Sequence, residues 1–353
     1  AFNVQGVVPN NEAIVSLALT KYGTQVSLVM ILSMIIHIII ARFTPLKFIF
    51  LTGHHIFYMG VMITVILAVA GVSGIQLIIL SSLINALAMS LSPILTYWAM
   101  PKVIGDSSSN VALGHFSNVT YGISALIGKL IGGKSSSVED LKLPKGLSFM
   151  RDNILAIALT MSIIYIIVAI AAGSEYIEKE LSNGQNFLVF SLIQGVTFAA
   201  GVSVVLQGVR MILGEIIPAF KGISEKLVPN AIPSLDCPIV FPYAPNAVLI
   251  GFIMSFIGGL VGLAILGITG GILIIPGVVP HFFCGATAGV FGNATGGKRG
   301  CFIGAFVNGI LLTFLPLILL PILGDLGFQN TTFSDADFIA VGGIIGFICN
   351  LIK

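Results

Sequence analysis

Long apolar runs recur to the last residue of the chain, separated by short polar stretches. A spanning helix needs about 20 apolar residues. The runs predict membrane spans near 24–42, 56–73, 75–100, 151–173, 185–213, 246–269, 298–323 and 336–352. Gly71-Val72-Ser73-Gly74 predicts a tight turn between the second and third. The expected fold class is therefore an all-α polytopic membrane protein with several transmembrane helices. A secretory signal followed by a soluble domain is excluded, because the apolar pattern never stops.

Charge sharpens this picture. Only 16 basic and 14 acidic residues occur in 353, or 8% charged, against roughly a quarter in a soluble domain. No Asp, Glu, Lys or Arg falls between Lys47 and Lys102, nor between Asp236 and Lys298, and each gap is long enough for two passes or more. So few charges cannot clothe a water-facing surface. A disordered chain, an ordinary cytosolic enzyme and a nucleic-acid binder with a basic surface are excluded. The loop holding Lys129, Lys134, Lys142, Lys145 and Arg151 is placed in the cytoplasm by its basic residues. Counting spans puts Lys102, Lys221, Lys226, Lys298 and Arg299 on the same side. The connections holding Glu175, Glu178 and Glu180, and Asp325, Asp335 and Asp337, then fall outside. Cys237, Cys284, Cys301 and Cys349 show no ligand spacing and are expected as buried free thiols.

Two stretches resist a continuous helix. Residues 103–133 are only half apolar, with Ser107-Ser108-Ser109-Asn110, Gly114-His115 and Tyr121-Gly122-Ile123-Ser124. Residues 228–246 carry Pro229, Pro233, Pro238, Pro242 and Pro245 around one acid, and proline removes a backbone donor and clashes one turn back. Broken backbone at membrane depth is tolerated where protein buries it or it lines a watery cavity. Both stretches are expected as re-entrant hairpins or interrupted helices of the kind that form transporter sites. Residues 270–297 are a third candidate, although their glycine spacing equally fits close helix packing. The string GIS recurs at 122–124 and 222–224, too short to establish a repeat.

Asp236 is the sharpest chemical signal. An acid at mid-membrane costs roughly 2.5–3.5 kcal/mol on insertion scales, so it either caps a half-helix or holds substrate, and at a broken helix the two coincide. His54 and His55 come second. Adjacent helical positions point about 100° apart, which makes a poor bidentate metal site. One imidazole facing a polar cavity and one satisfied by backbone is the expected arrangement. His115, after Gly114, is a third candidate; His37 is expected as a packed or interfacial residue, and His281 beside Pro280 is undecided. Composition makes Glu12 a solvated loop residue, and Arg210 and Glu215 interfacial charges. No P-loop, GxSxG or HExxH pattern occurs, so no nucleotide, metal or cofactor site is expected.

With these residues in view, a family resemblance follows. The strings LTGHHIFYM (51–59), SSVEDLKLPKGLSFMRDNI (136–154), QGVRMILGEIIPAFKGISEKLVPNAIPSLDC (207–237), YAPNAVLIGF (243–252), ITGGILIIPGVVPHFFCGATAGVFGNATGG (268–297) and NTTFSDADF (330–338) resemble the L-ascorbate-specific membrane subunit IIC of the bacterial phosphotransferase system. The resemblance implies a homodimer in the bacterial cytoplasmic membrane. Residues 1–353 would form one transport unit with interleaved core and dimerising subdomains, moving by an elevator-type mechanism. The chain starts at Ala1 in a polar stretch, and the resemblance implies a missing amino-terminal segment.

The resemblance also implies substrate contacts. His54, His115 and Asp236 stand where the family has its ligand-binding histidines and aspartate. A member of that family has glutamines where this chain has Tyr58 and Phe116, and a Thr-Tyr pair where it has Asn11 and Glu12, so against that member the groups recognising substrate hydroxyls differ. The implied function is binding and translocation of L-ascorbate or a related small sugar acid for phosphorylation by a cytoplasmic IIB subunit, itself charged by IIA. No catalytic residue is expected on this chain, since the phosphocarrier residue belongs to the partner. Its other neighbour is the lipid bilayer, and no nucleic acid is involved. The alternative is an ion-coupled secondary transporter of a sugar acid or related anion. A membrane-embedded enzyme ranks third, for want of a nucleophile–base pair.

Overall fold

The protein is described from a computed structural model, which covers residues 6–105, 111–141, 153–324 and 331–352. Ser107 to Asn110, Lys142, Lys145, Arg151 and Asp325 lie outside the described residues, as do the side chains of Arg210, Glu215 and Lys221. In chain order the described elements are β1 (Gly6–Pro9), α1 (Asn11–Phe43), β2 (Phe48–Phe50), α2 (Gly53–Val69), α3 (Gly74–Leu91), α4 (Ile94–Tyr97), α5 (Met100–Ile104), β3 (Ala112–Leu113) and α6 (Asn118–Ile131). After these come α7 (Asn153–Ala172), α8 (Ser174–Tyr176), α9 (Phe187–Lys226), β4 (Ile232–Leu235), a 3₁₀ segment Cys237–Tyr243, α10 (Pro245–Thr269), β5 (Leu273–Ile274), α11 (Val278–Phe314), α12 (Pro316–Gly324), β6 (Thr331–Thr332) and α13 (Ala336–Ile352). The chain is an all-α polytopic membrane protein, with six helical stretches among the described residues long and apolar enough to cross a bilayer.

Every predicted span falls on a helix, but several boundaries move for identifiable reasons. α1 begins at Asn11, well before position 24, because the Asn10 side chain accepts from the Ala13 N–H at 3.0 Å and caps the helix. The predicted span 75–100 stops as α3 at Leu91 and resumes as short α4 and α5, with Pro93 at the break. The predicted turn at 71–74 is present, with Gly71 at φ 95° and Gly74 at φ 58°, conformations that glycine adopts at little cost. α2 and α13 have 17 residues each, about 25 Å of helix, short of the roughly 30 Å hydrocarbon core.

The chain divides into two compact units, residues 139–215 and residues 6–138 with 216–353. In the first, Gly195 of α9 packs against Ser162 of α7, and the Ser191 hydroxyl donates to the Tyr165 carbonyl at 3.4 Å. Glu178 accepts from the Phe187 N–H at 3.1 Å, just before the long helix begins.

In the second unit the two stretches that resist a continuous helix each contribute one short strand, β3 and β4, and residues 118–131 of the first form α6. With β1, β2, β5 and β6 they make, among the described residues, two three-stranded parallel sheets, ordered β5-β1-β6 and β2-β4-β3. Each strand leads into a helix or 3₁₀ amino terminus. Exchanging β1 with β4, β2 with β5 and β3 with β6 converts one order into the other, so the strand–helix series of residues 6–131 is repeated by residues 232–352. This repeat lies in topology, and the GIS recurrence has no part in it. The apolar core of the unit surrounds α2, where Met59, Met62, Ile63 and Ile66 meet Phe116, Leu319, Phe338 and Ile339.

The glycines of 270–297 serve close packing. A methyl at Gly251 of α10 would collide with backbone at Gly285 and Gly289 of α11, and one at Gly128 of α6 with Gly292 and Gly296. α11 breaks at Gly297, at φ 59°, where the Lys298 N–H donates to the Ser136 carbonyl at 2.8 Å. His281 is buried in this packing with Nδ1 2.9 Å from the Ser255 hydroxyl.

Candidate functional site

The sheet β2-β4-β3 builds the site. β2 delivers His54 in the first turn of α2, β4 is followed by Asp236 before the 3₁₀ segment, and β3 precedes His115 and the start of α6. Pairing of Phe50 and Ala112 with Ser234 brings the three strand ends level. Because β4 is the central strand, Asp236 lies between the two histidines. His54 Nε2 is 3.8 Å from Asp236 Oδ2, and His115 Nε2 is 3.8 Å from Oδ1. The carboxylate also caps the segment it opens, accepting from the Cys237 N–H at 2.7 Å. The cap and the position between the two histidines thus coincide at this residue.

The three side chains are unequally exposed: 52% for His54, 37% for Asp236 and 5% for His115. His54 and Asp236 form the open side, and His115 the inner wall. His55 divides from its neighbour as the adjacent helical positions require. It is buried, its Nδ1 accepts from the Phe116 N–H at 3.4 Å, and its ring stacks on Phe338. His37 is packed, with Nε2 accepting from the Phe50 N–H at 3.0 Å and Nδ1 2.8 Å from the Ser90 hydroxyl.

Tyr58 lies one turn beyond His54 on α2, half-buried, with ring centroids 6.0 Å apart. Glu12 and Asp335 are near enough to act electrostatically on its hydroxyl. The Phe116 ring is fully buried between Phe50 and Phe338, and the residue meets its neighbours through its backbone, donating to His55 and accepting from the Asp337 N–H. Asn11 donates to Asp335 Oδ2 at 3.0 Å and accepts from the Ser334 N–H at 3.0 Å, whereas Glu12 is exposed in the first turn of α1.

One expectation changes in part: Asp335 and Asp337 are not solvated residues of a connection but buried, at 6% and 4% exposure. They stand at the start of α13, where donors from other elements surround them. Asp335 accepts from Ser117, Cys284, Asn11 and Ser334, and Asp337 from the Ser92 hydroxyl at 2.6 Å and the Val119 N–H at 2.9 Å. Counting spans assigned them to a loop. The local string Ser334-Asp335-Ala336-Asp337 ahead of an apolar run is a helix-start signal that marks them correctly. Sequence reasoning also missed Tyr121, whose hydroxyl lies 3.1 Å from His115 Nδ1.

Candidate metal-ligating atoms approach within 4.8 Å in three sets: His54, His55 and Asp236; His115, Asp236 and Cys237; and His115, Cys284 and Asp335. In the last set the Cys284 thiol donates to Asp335 at 3.2 Å. Cys237, Cys284 and Cys301 are buried and Cys349 is partly buried, none of them in a disulfide among the described residues.

A family model described as PTS system sugar-specific permease component matches residues 1–337. The chain is also similar to the Ascorbate-specific PTS system EIIC component of Mycoplasma pneumoniae (strain ATCC 29342 / M129 / Subtype 1), with 27% identity over 337 residues. That match covers 82% of this chain and 50% of the relative, so the chain spans about half the length of the curated protein it matches. The family match covers nearly all of the chain, including both sheets and the His54, His115 and Asp236 cluster: the chain belongs to the PTS system sugar-specific permease component family.

Proposed function

We propose that this chain binds a small, polyhydroxylated acidic sugar, with L-ascorbate as the lead substrate, and carries it across the membrane to a phosphorylated cytoplasmic subunit. The observation that carries this reading is the Asp236 carboxylate held between the Nε2 atoms of His54 and His115, 3.8 Å from each. Imidazole N–H groups donate to substrate oxygens, and a carboxylate accepts from hydroxyls. The amino terminus of α2 adds a place for negative charge. Thr52 makes no side-chain capping bond there, and the space beside Gly53 is open, so first-turn N–H groups remain to meet an anion. The curated relative's name points to the same substrate.

In this reading the chain binds and positions, and the phosphoryl group arrives on a IIB partner charged by IIA. Phosphorylation removes the free sugar and makes uptake one-way. The core carries the ligand by an elevator-type movement in a homodimer. The test is uptake of labelled ascorbate into vesicles containing the protein. Uptake that requires phosphoenolpyruvate and the soluble phosphocarriers supports the proposal. Uptake driven by a proton or sodium gradient without them overturns it in favour of an ion-coupled transporter.

A further inference from the structure

We propose that Tyr121 is a positioning residue for this site: its hydroxyl donates to Nδ1 of His115 and so keeps the imidazole proton on Nε2, the nitrogen facing Asp236. The inference deepens the proposed function and rests on it for the identity of the ligand.

The geometry is enclosed on all sides. Tyr121, in the first turns of α6, is fully buried, and its ring lies parallel to Phe291 at 6.2 Å between centroids. The hydroxyl is therefore held in place at 3.1 Å from His115 Nδ1. Two arrangements of the shared proton are possible. In one, Tyr121 donates to Nδ1, and Nε2 carries the imidazole proton. In the other, Nδ1–H donates to the phenol oxygen, and the phenol proton turns to the Cys284 sulfur, its other hydrogen-bond neighbour.

Two independent features select the first. An imidazole nitrogen is a stronger acceptor than a thiol sulfur, so the phenol proton is held better by Nδ1 than by Cys284. The second arrangement would also turn an Nε2 lone pair toward the Asp236 carboxylate oxygen at 3.8 Å. The first turns an N–H toward it.

The consequence is chemical. With the proton on Nε2, His115 offers a donor beside the acceptor oxygens of Asp236. A ligand hydroxyl both accepts and donates, so it can bridge the pair, accepting from His115 and donating to Asp236. A carboxylate or enolate oxygen, which only accepts, takes the His115 N–H alone. Tyr121 thereby makes this corner of the site a hydroxyl reader without touching the ligand.

The experiment combines nitrogen NMR with binding. Wild-type protein labelled with ¹⁵N-histidine is examined in detergent, and the His115 signals are assigned by their loss in His115→Gln. The expected wild-type spectrum has His115 protonated on Nε2. Tyr121→Phe keeps the ring and removes the hydroxyl; the tautomer preference is expected to disappear, with ascorbate affinity falling about tenfold. Cys284→Ala removes the competing acceptor, along with one donor to Asp335, and keeps the wild-type tautomer. A wild-type proton on Nδ1 overturns the proposal, as does a Tyr121→Phe protein with unchanged tautomer and affinity. If wild-type protein binds no ascorbate, the substrate assignment falls, while the wild-type spectrum still decides the role of Tyr121.

Discussion

Asp236 and His115 stand 3.8 Å apart because β4 and β3 are neighbouring parallel strands whose ends lie level at the Leu235–Leu113 pair. β2 pairs with the other edge of β4 and brings His54 to the opposite carboxylate oxygen at the same separation. A short sheet, in a chain otherwise helical, thus sets the spacing of the site.

Replacing Asp236 with Asn separates its two roles. Asparagine still accepts from the Cys237 N–H, the bond now made at 2.7 Å, but carries no charge between the imidazoles. Titration with ascorbate should show a loss of about 30-fold to 100-fold, the worth of a charge-assisted hydrogen bond. Thermal unfolding in detergent should be unchanged. Wild-type affinity in this variant would remove Asp236 from the site.

His54→Ala and His115→Ala should fail differently. The His54 side chain is 52% exposed, so its removal should change stability by about 0.5 kcal/mol or less. His115 is buried against Tyr121, and its loss leaves a buried hydroxyl without its imidazole partner, costing about 1–3 kcal/mol. Both should lose ligand binding. Equal melting temperatures in the two variants would contradict the burial assigned to His115.

Asp335→Ala should destabilise the protein, since it strands the donors of Asn11, Ser117, Cys284 and Ser334. Each buried donor left without a partner costs about 1–3 kcal/mol. Glu12→Ala removes an exposed side chain and serves as the comparison. A melting temperature for Asp335→Ala equal to that of Glu12→Ala would be incompatible with the buried network.

Gly251→Leu should lower the melting temperature through the contact of α10 with α11, where added atoms meet backbone at Gly285 and Gly289. Overpacking of this kind costs about 1–3 kcal/mol or more. Gly201→Leu on α9, which has open space beside it, should leave the melting temperature unchanged or higher. The reverse order would mean that the small-residue packing does not hold these helices together.

Particular residues show how far local pattern reaches. The run predicted at 336–352 coincides with α13, and that at 246–269 differs from α10 by one residue, because a long apolar run specifies a helix almost unaided. The prolines of 228–246 foretold that no continuous span runs there, and the backbone is β4 and a 3₁₀ segment before α10 begins. That they would pair with residues 48–50 and 112–113 was not legible. Strand pairing joins positions far apart in sequence, and no local pattern records the partner.

By itself the sequence determined that the chain lives in a bilayer, where most helices run and which polar residues break the apolar pattern. Those follow from the cost of exposing or burying single groups, which depends on residue type and immediate neighbours. Only the tertiary structure decided that Asp236 lies between His54 and His115, that Asp335 and Asp337 are interior, and that Tyr121 stands behind His115. Each of these depends on long-range pairing of strands and helix starts. The energy of a buried polar group is set by the partners that pairing brings to it.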